Sequence, residues 1–430
     1  MIEAASLAAM AASLRSGRRS VESQLAATRE RFEAAESDIE AFVPEPDRWE
    51  RLGADRERLE SQYAQADWRP PLFGIPVGLK DIFHLDGFDT QAGSTVPPSA
   101  LAGPQGSIVD ALLEAGALVV GKTVTTEFAF FDPGPTRNPH DTEHTPGGSS
   151  SGSAAAVAAG LTPLALGTQT IGSVTRPAAF CGVVGVKPSY GRLPMDGVIP
   201  VSPSVDHVGF FTQDLPSARL AADVLYPDWG PLPTLGTPRI GAVEGPYLDQ
   251  ADEAAVEAFE GQLDALEAAG YTVQRVGVFE DIDAVNERHN RLVAAETAIA
   301  HDEWYPAYGD RYGPELRELI EEGQAVEAGE LAAARAGRRQ LREAVEDVMA
   351  SHELDVVVSP SAPGPAPAGI DSTGDPVMNL PWTHSGLPTV SLPAGTVDWL
   401  PVGLQCAARY GWDEWLLRWA EGLAEALPTP

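Results

Sequence analysis

Two serine-bearing turns and one lysine hold the residue types from which a chain can build a nucleophile. The turns are Gly147-Gly148-Ser149-Ser150-Ser151-Gly152-Ser153 and Gln169-Thr170-Ile171-Gly172-Ser173, separated by a helix-like and a strand-like run. Upstream lies Gly74-Ile75-Pro76-Val77-Gly78-Leu79-Lys80-Asp81, a lysine closing an apolar, strand-like stretch. Small residues let backbone approach a ligand closely in both turns. A serine hydroxyl is a weak nucleophile at its free pKa, so attack on a carbonyl needs a base beside it. Lysine is such a base only where desolvation brings its amine toward neutrality. The apolar run before Lys80 suits that burial, and an ion pair to a nearby acid is the competing role.

Other chemistries read from the same residues are weaker. Gly148-Ser149-Ser150-Ser151-Gly152 fits a nucleophile elbow, which nominates Ser150 with an Asp and a His further on, as in a serine esterase. No convincing histidine follows: His207, His289, His301, His352 and His384 stand in dissimilar settings. A phosphate cradle would need the Walker lysine, which is missing. His and Cys are too scattered to suggest a metal site.

GIPVGLKD, GGSSSGS and GTQTIGSVTRPAAFCGVVGVKPSYGR together resemble the amidase signature family, over about residues 71–211. The resemblance implies a Ser-cisSer-Lys triad: Lys80 as base, Ser149 as proton shuttle after a cis peptide, and Ser173 as nucleophile. It implies an α/β fold, one large domain with a central mixed sheet flanked by helices, and no cofactor or metal. The implied reaction is hydrolysis of a small carboxylic amide through an acyl-serine. Backbone N–H groups of Thr170, Ile171 and Gly172 would meet the oxyanion. Ile171 stands where the family usually has Gly. It would be strained at positive φ; with φ negative it would narrow the acyl pocket. Arg176 matches a Ser-x-x-Arg-Pro pattern of malonamidase-like members, which implies a clamp on a substrate carboxylate. A brace to loop carbonyls is the alternative. Gly148 and Gln169 complete the expected substrate contacts. A rival is the amidase subunit of a tRNA-dependent amidotransferase, and another is a catalytically silent binding protein.

The elements that must position these residues read as α/β. Strand-like runs at Pro76–Lys80, Leu118–Val120 and Leu164–Thr168 alternate with helical ones at Ser107–Glu114 and Ser151–Ala159. Residues 1–66 read as an arm of two helices, with Ala4, Leu7, Met10 and Leu14 at helical spacing. Residues 67–430 form the body: a core at 71–211, a Gly/Pro-rich linker at 227–238, a peripheral helical region at 239–350, and a C-terminal return at 354–430. Within the peripheral region, Arg239–Val243 and Thr272–Val276 read as strands around a helix.

Charge narrows the partners. The 430 residues hold 62 acidic and 29 basic side chains, a net of −33, so binding to nucleic acid is not expected. The acids are spread along helical stretches, a pattern suited to high salt and a halophilic cytoplasm. No leader or membrane-length apolar run is read, and two cysteines make no disulfide framework. The expected ligand is a small-molecule amide. A homodimer is one open assembly state. Only Lys80, Lys122 and Lys187 are lysines, against 26 arginines. Arg cannot lose its proton and Lys can, so a lysine in an apolar run stands out.

Overall fold

The computed structural model describes residues 6–65, 67–231 and 236–429. Ala4, Ala66 and residues 232–235 of the linker therefore lie outside the described residues.

The N-terminal arm holds three helices where the sequence suggested two: α1 (Leu7–Arg15), α2 (Val21–Ile39) and α3 (Arg48–Gln62). Gly17 at φ 72° and the Ser20 hydroxyl, which accepts from Ser23 N, separate the first two. The break at Pro44 and Pro46 is short, and a further helix starts right after it. Arg48, Leu52 and Leu59 face the body from α3. The arm docks on the sheet edge through backbone as well, with Val43 N donating to Lys122 O.

The core begins with β1 (Pro76–Lys80), α4 (Ser107–Glu114), β2 (Leu118–Thr123), α5 (Ser151–Ala158) and β3 (Leu164–Gln169). There follow α6 (Thr175–Cys181), β4 (Val184–Lys187), β5 (His207–Thr212) and α7 (Leu215–Leu225). Next come β6 (Arg239–Glu244), α8 (Glu253–Ala268), β7 (Thr272–Gly277), α9 (Ile282–Ala300), α10 (Tyr305–Tyr308), α11 (Pro314–Gln324) and α12 (Ala328–Ser351). The chain closes with β8 (Val356–Pro360), α13 (Leu380–Ser385), β9 (Thr389–Val397), β10 (Leu400–Ala407) and α14 (Asp413–Ala426).

All strands join one ten-stranded mixed sheet in the order β2-β1-β3-β5-β4-β9-β10-β8-β6-β7. β1, β2 and β3 are fully buried, as expected of apolar strands covered on both faces. The region read as peripheral is split: β6 and β7 extend the main sheet through parallel pairing of β6 with β8, while α9 to α12 lie outside it.

α5 is built from small residues because it lies against backbone. A Cβ on Gly152 would stand 2.1 Å from Ala41 O and 2.5 Å from Val124 N. Ser153 Oγ donates to Leu166 O at 2.8 Å, fixing the helix to β3. β1 and β3 run parallel with Leu79 opposite Leu166, so the C-terminal ends of both strands and the N-terminus of α5 meet at one place.

Candidate active site

Lys80 closes β1 and is fully buried. Its Nζ lies 2.7 Å from Ser149 Oγ and 2.9 Å from Thr168 Oγ1. Burial pushes the amine well below the ordinary lysine value, and the Asp206 carboxylate offsets this only in part. A neutral amine keeps a lone pair, so it can accept a proton from one hydroxyl while donating to the other. Lys122 and Lys187 are buried too but meet different partners. Lys122 pairs with Asp81 at 2.8 Å, and Lys187 donates to Leu387 O.

Ser149 sits in the turn before α5, and the Gly148–Ser149 peptide is cis. Ser149 and Ser173 line the same narrow crevice, together with Thr170, Ile171 and Gly172. Ser150 points elsewhere: its hydroxyl donates to Thr168 O at 3.2 Å and accepts from Thr168 N at 3.3 Å. The histidines near the core are held away from it. His207 bonds Val205 O, His289 meets His384, and His301 meets Tyr312. The elbow reading therefore fails, because Ser150 is a clamp between α5 and β3.

The second turn leaves the end of β3 and enters α6. Thr170 Oγ1 donates to Asp206 at 2.6 Å, and Asp206 also accepts from Val201 N and Ser202 N. Burial lifts the Asp206 carboxyl to about 6. Ile171 keeps an ordinary backbone conformation outside the left-handed region, and its side chain forms part of the crevice wall. Gln169 is fully buried with both ends of its amide committed. Oε1 accepts from Val174 N and Thr175 N at 2.8 and 2.9 Å, and Nε2 donates to Thr383 at 2.9 Å. The crevice lining does not include it, and these bonds shape the turn that carries Ser173.

Arg176 lines the crevice, with its two Nη groups bound to protein and its Nε buried without a partner among the described residues. Its guanidinium donates to Gly374 O, to Gly148 O at 2.8 Å and to Thr373 Oγ1 at 3.1 Å. These bonds tie the Ser149 turn to the 373–374 loop, a brace of the kind the sequence left as the alternative to a carboxylate clamp. Gly148 takes part through its carbonyl, and a Cβ there would stand 2.7 Å from Thr373 Cγ2.

The crevice opens into a cleft of about 730 Å³ walled by Phe130, Phe131, Ile171, Val293, Leu319 and Leu380. Phe130, Phe131, Ile171 and Val293 belong to both spaces. A volume of this size suits a small organic ligand. Among the described residues no His/Cys/Asp/Glu group has metal-ligand geometry, and no helix is long and apolar enough to cross a membrane.

Sequence reasoning missed Thr168, Asp206, Thr383 and the two phenylalanines. Thr168 sits one position before Gln169 within a quoted motif, so a search for hydroxyls at the strand end would have found it. Nothing local marks Thr383, which reaches the turn from a segment 212 residues away.

A family model described as Amidase matches residues 24–417. The A component of the glutamyl-tRNA(Gln) amidotransferase of Symbiobacterium thermophilum is 34% identical over 405 residues, 81% of this chain and 82% of that protein. A solved structure described as that of an amidase superposes with a TM-score of 0.90 at 31% identity, covering 99% of this chain and 100% of that one. Native peptide amidase from Stenotrophomonas maltophilia superposes with a TM-score of 0.83 at 26% identity, covering 99% and 97%.

Proposed function

The chain belongs to the amidase family of hydrolases acting on amide bonds, and from that premise we propose that it cleaves a small carboxylic amide to acid and ammonia through an acyl-Ser173 intermediate. The observation that carries this reading is the fully buried Lys80 amine 2.7 Å from Ser149 Oγ, at the crevice that Ser173 also lines.

In the proposed cycle Ser173 Oγ attacks the carbonyl carbon while its proton passes to Ser149. Ser149 hands its own proton to the neutral Lys80 amine. Negative charge on the carbonyl oxygen is met by backbone N–H groups of the Thr170–Ser173 turn. Collapse breaks the C–N bond, and the proton returns from Lys80 through Ser149 to the departing nitrogen, which leaves as ammonia. Water then enters, gives a proton to the same relay and attacks the ester, releasing the acid and restoring Ser173. Ile171 stands at the junction of crevice and cleft and favours a small acyl group.

Ammonia release from a panel of primary amides graded by acyl size, measured in molar KCl, tests this. Turnover should fall with acyl bulk and vanish in Ser173→Ala. Native turnover in Ser173→Ala would overturn the reading. The likeness to amidotransferase components favours a second one, in which the ammonia passes to a partner protein. Glutamine hydrolysis that needs an added partner, with no turnover of other amides, would select it.

A further inference from the structure

The oxyanion turn is held from outside the signature core by a hydrogen-bond chain whose donors and acceptors can be assigned. Gln169 Oε1 accepts from two backbone N–H groups, Val174 and Thr175. Backbone N–H can only donate, so this end of the amide is oxygen and the other is the NH₂. That NH₂ donates to Thr383 Oγ1 at 2.9 Å. With a donor already aimed at it, the Thr383 hydroxyl turns its own proton to a carbonyl. Ile171 O lies 2.5 Å away and Asn379 O 3.2 Å, so the shorter bond to Ile171 takes it. Gln169 and Thr383 are both fully buried.

The consequence follows from peptide planarity. The peptide between Ile171 and Gly172 is trans, and in a trans amide C=O and N–H point in opposite directions. Drawing the Ile171 carbonyl toward Thr383 on α13 turns the Gly172 N–H away from α13, on a turn that lines the crevice beside Ser173. We propose that Thr383, oriented by Gln169, is a positioning residue that aims the Gly172 N–H at the oxyanion formed on Ser173 attack. This rests on the acyl-Ser173 reading and adds to it a residue that does not touch substrate. Such a residue acts on the transition state more than on the ground state, because charge on the carbonyl oxygen develops only after attack.

Three variants of the full chain test it, with Ser173→Ala as reference. Thr383→Val keeps the shape and removes the hydroxyl. Gln169→Glu keeps the acceptor for the backbone N–H groups but removes the NH₂, so the Thr383 proton is drawn to the carboxylate and the Ile171 carbonyl is released. Both should lower kcat by about 10- to 100-fold with KM changed by less than about twofold. In Thr383→Val, which adds no charge near Lys80, the pH at half-maximal kcat should stay in place. Thr383→Ser, which restores the hydroxyl, should recover most of kcat. Should Thr383→Val not fold, Gln169→Glu decides by the same split of kcat from KM. Native kcat in the folded disabling variant, a loss confined to KM, or no recovery in Thr383→Ser would overturn the proposal. Native turnover in Ser173→Ala would instead remove the reading beneath it.

Discussion

Burial lowers the pKa of Lys80, Lys122 and Lys187 alike, so their partners separate them. Asp81 keeps Lys122 charged as an ion pair, and a backbone carbonyl holds Lys187. Lys80 has hydroxyls as its hydrogen-bond partners, one of them on the crevice that Ser173 also lines. The scarcity of lysine in the sequence pointed to this residue without telling it from the other two. The motif did that, and the structure supplied Thr168, whose hydroxyl belongs to another strand. The sign of the pH dependence follows from the depressed amine. Below its pKa Lys80 is protonated and cannot accept, and above it the relay is open, so the rate should rise with pH at a point well below that of free lysine. Lys80→Arg should lose most turnover at every pH, because guanidinium stays protonated. Steady-state rates across pH check this, and a Lys80→Arg enzyme with near-native turnover would show that another group is the base.

At the scale of elements, β1, α4, β3 and α5 were legible because each combines a clear apolar pattern with nearby turn residues. α3 was not, since the prolines at 44 and 46 read as an end and not as a link to another helix. Nor was the role of β6 and β7, because joining the main sheet is a long-range pairing that no local period records. α5 shows why a run of Gly, Ser and Ala is a packing statement. Its N-terminus carries the Ser149 turn, and its closeness to residues 41 and 124 leaves no room for a side chain at Gly152. Gly152→Ala should therefore destabilise the fold by about 1–3 kcal/mol, the usual range for overpacking, and lower kcat by displacing Ser149. Urea unfolding with parallel activity assays checks both. A stability loss below about 0.5 kcal/mol, ordinary for an exposed site, would mean that the helix shifts freely.

For the whole molecule, composition decides what the fold alone leaves open. Every lysine is inside, so the surface cations are arginines facing a large excess of carboxylates. Many of the arginines are in ion pairs, such as Arg51 with Glu45 and Arg275 with Glu260, yet 62 acids against 29 bases leave most acids without one. Like charges at this density repel when unscreened. The melting temperature should fall on dialysis from molar KCl into dilute buffer, and equal values in both would show that the acidic surface is not an adaptation to salt.

The account stands on Ser173 as the acylated atom, and covalent trapping reads that atom directly. The protein is treated in molar KCl with a fluorophosphonate, digested, and the adduct located by peptide mass spectrometry. The adduct should fall on Ser173, be absent in Ser173→Ala, and form much more slowly in Lys80→Arg. An adduct on Ser150, or one that persists at another residue when Ser173 is removed, would contradict the account.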